Sequence, residues 1–333
     1  IQEYTGILAG TYLSNYDWDE YGDDILDRIV NKAQENVNRF TSAYNNLNFN
    51  YGDIVSFAKI KKLEKSQQKL INYQFNGLDH LFVKNFSGTY WSYDQCVWID
   101  AISNIARSDE FRDTPLYNII MSSLMFAMAY CTQSTGHYAM YRDVKETNMK
   151  DILVYRRKEI LPLFKQKFES LKEFYKEDIN TEFNHNFTRL DFSILLDEIE
   201  ENSIIYADPP YQFVHYSRFY HALETLAKYD YPEIKHKGRY RTDRHQSPFC
   251  IKTKVKSAFT DMFIKTYQKN STLVLSYSDT GMISLSELLE LANSIFVGYN
   301  VDIKEMDYKH STMGRQGDKS RDVKEVLIVC SAN

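Results

Sequence analysis

No apolar run among the 333 residues reaches membrane-spanning length, which excludes a helical span of about 20 apolar residues. The four cysteines, Cys96, Cys131, Cys250 and Cys330, have no C-x-x-C spacing. Their scatter argues against a zinc site or a disulfide framework and for a reducing compartment, so no metal is expected. Basic charge is not in excess either. The formal net charge is −5, so the chain as a whole is not a basic nucleic-acid binder. A protein of this balance that handles nucleic acid needs a locally basic face. No internal repeat and no low-complexity linker interrupts the sequence. What is abundant is apolar and aromatic: 43% hydrophobic residues, with 26 Tyr and 20 Phe. That load first serves a large core, and a minority of rings is left to stack on ligands or bases. The length suits one large or two ordinary domains.

The most informative stretch is Asp208-Pro209-Pro210-Tyr211. It follows Ser203-Ile204-Ile205-Tyr206-Ala207, a short apolar run that reads as a buried strand. Neither proline can donate a ladder hydrogen bond, so the strand stops there. A carboxylate, a rigid run of carbonyls and an aromatic ring then sit at the carboxyl end of a strand, where open α/β sheets bind ligands. A carboxylate and a carbonyl together can accept both hydrogens of an exocyclic amino group. The arrangement suits chemistry on a planar amine such as adenine N6.

Residues 1–75 read mostly as helix, with an amphipathic pattern from Asp23 to about Tyr44 and another helical stretch from Asp53 through Lys65. The charge run Lys59–Lys65 reads as a solvated helix face. In residues 76–185, Phe86–Trp91 is aromatic and turn-rich, and Gln95–Ala106 and Leu116–Cys131 read as helices. Met121, Met125 and Met128 in the second helix read as core packing. Thr135–Ala139 reads as a loop, and Asp151–Lys176 as a long helix that Pro162 kinks or breaks. From 186 onward strands and helices alternate. Strands are expected at 203–207, 272–277, 299–306 and 323–330, and a crossover helix at 285–296. The expected fold is α/β, with helices on the faces of the sheet and the last two strands forming an antiparallel hairpin.

Asp208-Pro209-Pro210-Tyr211 resembles the motif of the S-adenosylmethionine-dependent amino-methyltransferases of DNA. The chain is most similar to the Dam-like (class alpha) adenine-N6 branch. Three further stretches carry the likeness: Asn186–Phe192, Thr272–Ser278, and His310–Arg315 with Arg321–Ile328. The likeness is specific over most of 186–333 and weaker over 1–185. It implies a Rossmann-like methyltransferase sheet with an inserted, mainly helical target-recognition domain. Residues 1–75 would begin the catalytic domain, 76–185 would recognise the target, and 186–333 would form the catalytic core. It also implies S-adenosylmethionine as cofactor, double-stranded DNA as substrate, a prokaryotic or phage-infected cytoplasm, and a cognate restriction endonuclease as a possible partner.

Asp208, Pro209, Pro210 and Tyr211 are then the expected catalytic group. Asp208 and the Pro209 carbonyl accept the N6 hydrogens of a base that must be flipped out of the duplex. Tyr211 either stacks on that base or caps the strand end as core. Asp191 and Phe192, with Asp208, are the expected cofactor contacts, and Asp191 can also cap the helix that starts near Ser193. The densest basic stretch, Lys235–His245, follows the catalytic strand. Lys237, Arg239, Arg241 and Arg244 are its expected phosphate contacts, against a solvated loop as the alternative. His221 reads equally as a helix-start hydrogen bonder and as a catalytic group. Ser311, Thr312 and Arg315, in the polar loop of the closing hairpin, are expected either to touch DNA or to close over the cofactor, and their spacing does not decide between the two.

The chain departs from the family in one respect. The Phe-x-Gly-x-Gly cofactor loop has no counterpart. Ile1-Gln2-Glu3-Tyr4 resembles the continuation of the strand whose Asp holds the cofactor ribose. The expectation is an amino-terminally truncated or split methyltransferase that binds S-adenosylmethionine weakly or not at all by itself. An N4-cytosine or RNA amino-methyltransferase, or a non-catalytic binding partner, are the rival readings. Asp rather than Ser at 208 favours adenine.

Overall fold

The computed structural model describes residues 2–332 apart from 15, 17, 134–136, 177–184, 212, 214–215 and 310–321, with the backbone alone at 176, 306–309 and 322–324. The helices are α1 (Glu3–Leu13), α2 (Ile25–Ala43), α3 (Phe57–Gln68), α4 (Leu81–Phe86), α5 (Tyr93–Ala106), α6 (Pro115–Cys131), α7 (Met149–Arg156) and α8 (Ile160–Lys176). Then follow α9 (Phe192–Glu198), β1 (Ile204–Ala207), α10 (Tyr216–Phe219), α11 (His221–Lys228), β2 (Ile234–Lys235) and β3 (Tyr240–Arg241). The chain closes with α12 (Val255–Gln268), β4 (Thr272–Ser278), α13 (Leu285–Ile295), β5 (Tyr299–Lys309) and β6 (Asp322–Ala332). These elements fall into two compact units, Gln2–Thr188 with Tyr220–Asp243, and Arg189–Phe219 with Arg244–Asn333.

The first, helical unit holds α1 to α8, α11 and the β2–β3 hairpin. Residues 2–75, expected with the catalytic core, share this unit with the rest of the helices, and so does 220–243. The reason is apolar continuity: Ile25 and Ile29 of α2, Leu116 of α6 and Leu226 of α11 belong to one buried cluster. Met121, Met125 and Met128 are buried in it, as their helical spacing implies. α5 starts on a capping box, in which Ser92 and Gln95 satisfy each other's backbone N–H groups. The expected long helix 151–176 is two helices. The break falls between Arg156 and Ile160, which leaves Pro162 in the first turn of α8, where its missing N–H costs nothing. Gly88 has φ +66°, and a Cβ there would meet the Glu64 carbonyl at 2.6 Å. Only glycine allows the turn before Trp91 to approach α3 this closely.

Among the described residues the second, sheet unit has four strands in the order β1-β4-β6-β5, with β1 parallel to β4 and the other pairs antiparallel. Its core is set by period-2 alternation. Leu273, Leu275 and Tyr277 of β4 and Val326, Ile328 and Cys330 of β6 are buried in one cluster with Leu196 of α9, Phe259 and Phe263 of α12 and Leu288 of α13. Each fully buried leucine or isoleucine there stabilises by about 1.5–3 kcal/mol relative to exposure. All four expected strands, the crossover helix and the closing hairpin are present within a few residues of their expected bounds.

One expectation is corrected. The run 203–207 reads as a buried strand, yet Ile204 is 80% and Tyr206 64% exposed. Among the described strands β1 is an edge, paired only with β4, so only Ile205 and Ala207 turn toward the core.

Candidate active site

β1 ends at Ala207, which is level with Leu275 of β4. Asp208 follows with its side chain exposed, Pro209 is buried, and Pro210 and Tyr211 are half-buried. The prolines hold the chain extended past the sheet, so that Tyr211 meets the segment after β4. Its carbonyl accepts the Met282 N–H at 3.1 Å. Its ring lies edge-on to Tyr277, with centroids 6.1 Å apart. Tyr277 is itself fixed, since its hydroxyl donates to the Ile283 carbonyl at 3.0 Å and accepts the Ile283 N–H at 3.2 Å. The strand end and the loop after β4 thus form one braced corner.

The electrostatics of this corner are anionic. Asp208 keeps part of its side chain in solvent, yet desolvation by the strand end raises its carboxyl above the usual range, and the charge of Glu325 adds to the rise. The Tyr211 phenol is raised by burial and by Glu325 and Asp208. Glu325 was not singled out in the sequence. Its signal was available, as the carboxylate directly before the apolar run Val326–Val329 of the last strand, but its neighbours there come from other strands.

Asp191 is the N-cap of α9, and its carboxylate accepts the Ser193 N–H at 3.0 Å. Phe192 is half-buried with its ring 4.9 Å from that of Phe249, which packs in turn on Phe259. Lys265 of α12 donates to the Ser193 carbonyl at 3.0 Å and to Asp197 at 2.7 Å, which ties α9 down.

The basic stretch folds as the β2–β3 hairpin, with φ +63° at His236 and +57° at Arg239. Its cations are not alike. Lys237 is 78% exposed at its side chain and 3.0 Å from Asp143. Arg239 donates to the Gln68 carbonyl at 3.1 Å, while its Nε is buried without a hydrogen-bond partner. Burial lowers its proton affinity. Arg241 is corrected outright as a phosphate contact: it is 2% exposed and committed to Asp230 and Asp243. Burial opposes its charge, and those carboxylates more than offset that cost. Arg244 is half-buried, partnered, and lies in the sheet unit.

His221 is fully buried at the start of α11, with Nε2 3.1 Å from the Tyr138 carbonyl and no part in capping the helix. Ser311, Thr312, Arg315 and the tip Thr135-Gly136 lie outside the described residues. Among the described residues no three His, Cys, Asp or Glu side chains cluster as a metal site would require, and no helix is long and apolar enough to cross a membrane. Two clefts of the helical unit, of about 160 and 560 Å³, contain no residue of the Asp-Pro-Pro-Tyr motif.

A mixed sheet with helices, and a strand that ends in Asp-Pro-Pro-Tyr, are consistent with a methyltransferase fold. Comparison with known proteins gives the family. Residues 53–285, well over half of the chain, match the D12 class N6 adenine-specific DNA methyltransferases, and the chain belongs to that family. It is similar to the modification methylase LlaI of Lactococcus lactis subsp. lactis, with 31% identity over 224 residues, which are 65% of this chain and 32% of LlaI. The modification methylase StsI of Streptococcus sanguinis is 25% identical over 220 residues, 64% of this chain and 29% of StsI. The type II methyltransferase M.FokI of Planomicrobium okeanokoites is 35% identical over 107 residues, 32% of this chain and 16% of its own length. The chain therefore spans about a third or less of the length of these curated relatives. No solved structure matches it.

Proposed function

We propose that this chain carries the site for methyl transfer from S-adenosylmethionine to adenine N6 in double-stranded DNA, within a restriction–modification system. The observation that carries this reading is the exposed Asp208 carboxylate at the carboxyl end of β1, braced through Tyr211 against Tyr277. A relative named as a modification methylase, and membership of an adenine-N6 family, support the same chemistry.

Adenine N6 is a weak nucleophile because its lone pair is delocalised into the ring. Asp208 and the Pro209 carbonyl accept its two hydrogens and favour a pyramidal nitrogen with a localised lone pair. The carboxylate stabilises the positive charge that grows on that nitrogen. Tyr211, half-buried and edge-on to Tyr277, presents the rest of its ring to a base flipped out of the duplex. The residues fit a sulfonium cofactor, because two carboxylates, Asp208 and Glu325, make the corner anionic. When bound, S-adenosylmethionine supplies an electrophilic methyl group. Asp191 binds Ser193 through Oδ1, which leaves Oδ2 to accept an adenine amino group. Phe192 contributes its backbone N–H, with its ring held by Phe249.

The helical unit is assigned to target recognition, and Lys237, Arg239 and Arg244 to the DNA backbone. The cytoplasm of a prokaryotic or phage-infected cell is the compartment in which DNA meets four reduced cysteines. Asp208→Asn in the full-length protein tests the reading: radiolabelled methyl transfer should be lost while DNA affinity in a gel-shift titration stays within about twofold. Transfer at the wild-type rate in that variant overturns it.

A further inference from the structure

Burial alternates along β1 and past its end. Ile204, Tyr206 and Asp208 are exposed, Ile205 and Ala207 are half-buried, and Pro209 is buried. β6 alternates in the same way, with Val326 and Ile328 buried and Glu325 and Leu327 half-buried. Ala207 and Ile328 both pair with Leu275, so the inward sets share one sheet face. Asp208 and Glu325 therefore share the other face. They also share one end of the sheet. Asp208 directly follows the Ala207–Leu275 pair, and Glu325 opposes Ser278, the last residue of β4. A single strand separates them and their levels differ by two residues, so their backbones are roughly 12 Å apart, and the two side chains span part of that gap.

We propose that Glu325 is a positioning residue of the methyl-transfer site. Its carboxylate sets a second negative charge beside Asp208, which strengthens Asp208 as acceptor of the N6 proton. The inference rests on the reading of Asp208 given above. In the transfer step the N6 lone pair forms the N–C bond as the C–S bond breaks, and that electron pair goes to sulfur. The nitrogen then bears a positive charge and loses one proton to Asp208, which passes it to water. Burial comes first in raising the proton affinity of Asp208, and the charge of Glu325 adds to it; on Tyr211, too, burial comes first and Glu325 acts ahead of Asp208. Among the described residues the groups facing Asp208 are Glu325 from β6 and Tyr211 from its own loop, with Tyr277 of β4 against Tyr211, the neutral Ser276 and Ser278 between the strands, and Lys304 of β5 level with Leu327 on the same face.

The test begins without turnover. The chain is labelled with carboxyl ¹³C-aspartate, and the Asp208 resonance is assigned by its loss in Asp208→Asn. In Glu325→Gln the Asp208 titration midpoint should fall by about half a pH unit or more, and in Glu325→Asp it should stay near wild type. With methyl transfer as the second readout, the acid limb of the rate profile should move down by the same amount in Glu325→Gln. The plateau should drop roughly threefold at unchanged KM for DNA. Thermal unfolding checks each fold, and Glu325→Leu replaces Glu325→Gln as the uncharged variant if the latter does not fold. A midpoint and an acid limb unmoved in the folded uncharged variant overturn the role of Glu325. Transfer that survives Asp208→Asn overturns the reading of the site itself, and the inference with it.

Discussion

Arg241 donates from its two terminal nitrogens to the two carboxylate oxygens of Asp230, at 2.6 and 2.7 Å, and its Nε reaches Asp243 at 3.0 Å. The bond to Arg241 holds both carboxyls below their usual range. This is a fork matched to carboxylates, with the guanidinium removed from solvent. Arg241→Ala should lower the unfolding free energy by roughly 2–3 kcal/mol, less than for a fully buried pair because both carboxylates are half in water. Arg241→Lys should recover little, since an ammonium cannot make the fork. Urea unfolding midpoints measure both changes. A variant as stable as wild type would return Arg241 to the list of DNA contacts.

Lys237 makes the opposite case. Its side chain is 78% exposed and its carboxylate neighbour, Asp143, is 53% exposed, so the pair adds little to stability. Lys237→Ala should leave the thermal midpoint unchanged. It should weaken cognate and non-cognate duplexes alike and reduce the slope of log affinity against log salt by roughly one unit. Arg239→Ala should show a smaller slope change with some loss of stability, because its guanidinium also holds the Gln68 carbonyl. An altered sequence preference in either variant would mean that the hairpin reads bases.

Glu64 and Arg156 form a buried pair, with Nε and Nη2 of Arg156 at 2.7 and 3.0 Å from the two Glu64 oxygens. Arg156 also donates to the Thr89 and Tyr90 carbonyls, and Tyr51 donates to Glu64. Removing one partner strands a charge in the core. Glu64→Ala should cost about 3–5 kcal/mol, while Glu64→Leu combined with Arg156→Met should cost less than either single change. A double-mutant cycle by chemical unfolding reads the coupling. Additive losses would show that the pair is not a unit.

Asp100 is buried and accepts the Phe82 and Val83 N–H groups and the Tyr229 hydroxyl. Burial pushes its carboxyl up to about 7, against the partial relief of those hydrogen bonds. In the unfolded chain the same group titrates near its ordinary value of about 3.9. Between these values the folded state binds the proton more tightly. Its contribution to stability is therefore full below the unfolded value and is lost as pH rises through about 7. Asp100→Asn has no such proton, so its melting temperature should decline less than that of wild type between pH 5 and 8. Parallel declines would assign the pH dependence to other groups.

Much of the sheet unit was legible in the sequence because its signals are local. Leu273, Leu275 and Tyr277 alternate with Thr272, Val274 and Ser276, and that period alone defines β4 and its buried face. Asp191 sits one residue before α9 and caps it through a bond that spans two residues. Pro209 and Pro210 end β1 by their covalent structure. The Asp-Pro-Pro-Tyr motif could be read for the same reason, since its four groups are contiguous. The charge of the Lys235–His245 stretch was also legible, but not its use. A basic residue looks the same in sequence whether it faces water or a carboxylate.

The tertiary structure decided what depends on distant partners. It buried Arg241 against Asp230, and it joined Glu64 to Arg156 across 92 residues of chain. It gathered 2–75 and 220–243 into the helical unit, because burial of apolar area follows surface complementarity rather than position along the chain. Among the described strands it pairs β1 with β4 alone, and there the Ile204 and Tyr206 side chains, which the apolar run by itself would bury, are exposed. And it set Glu325 of β6 at the same sheet end and on the same face as Asp208, through the register of β4 with both strands. Strand register is set by the fit of whole faces, and a one-residue shift would turn Glu325 into the core.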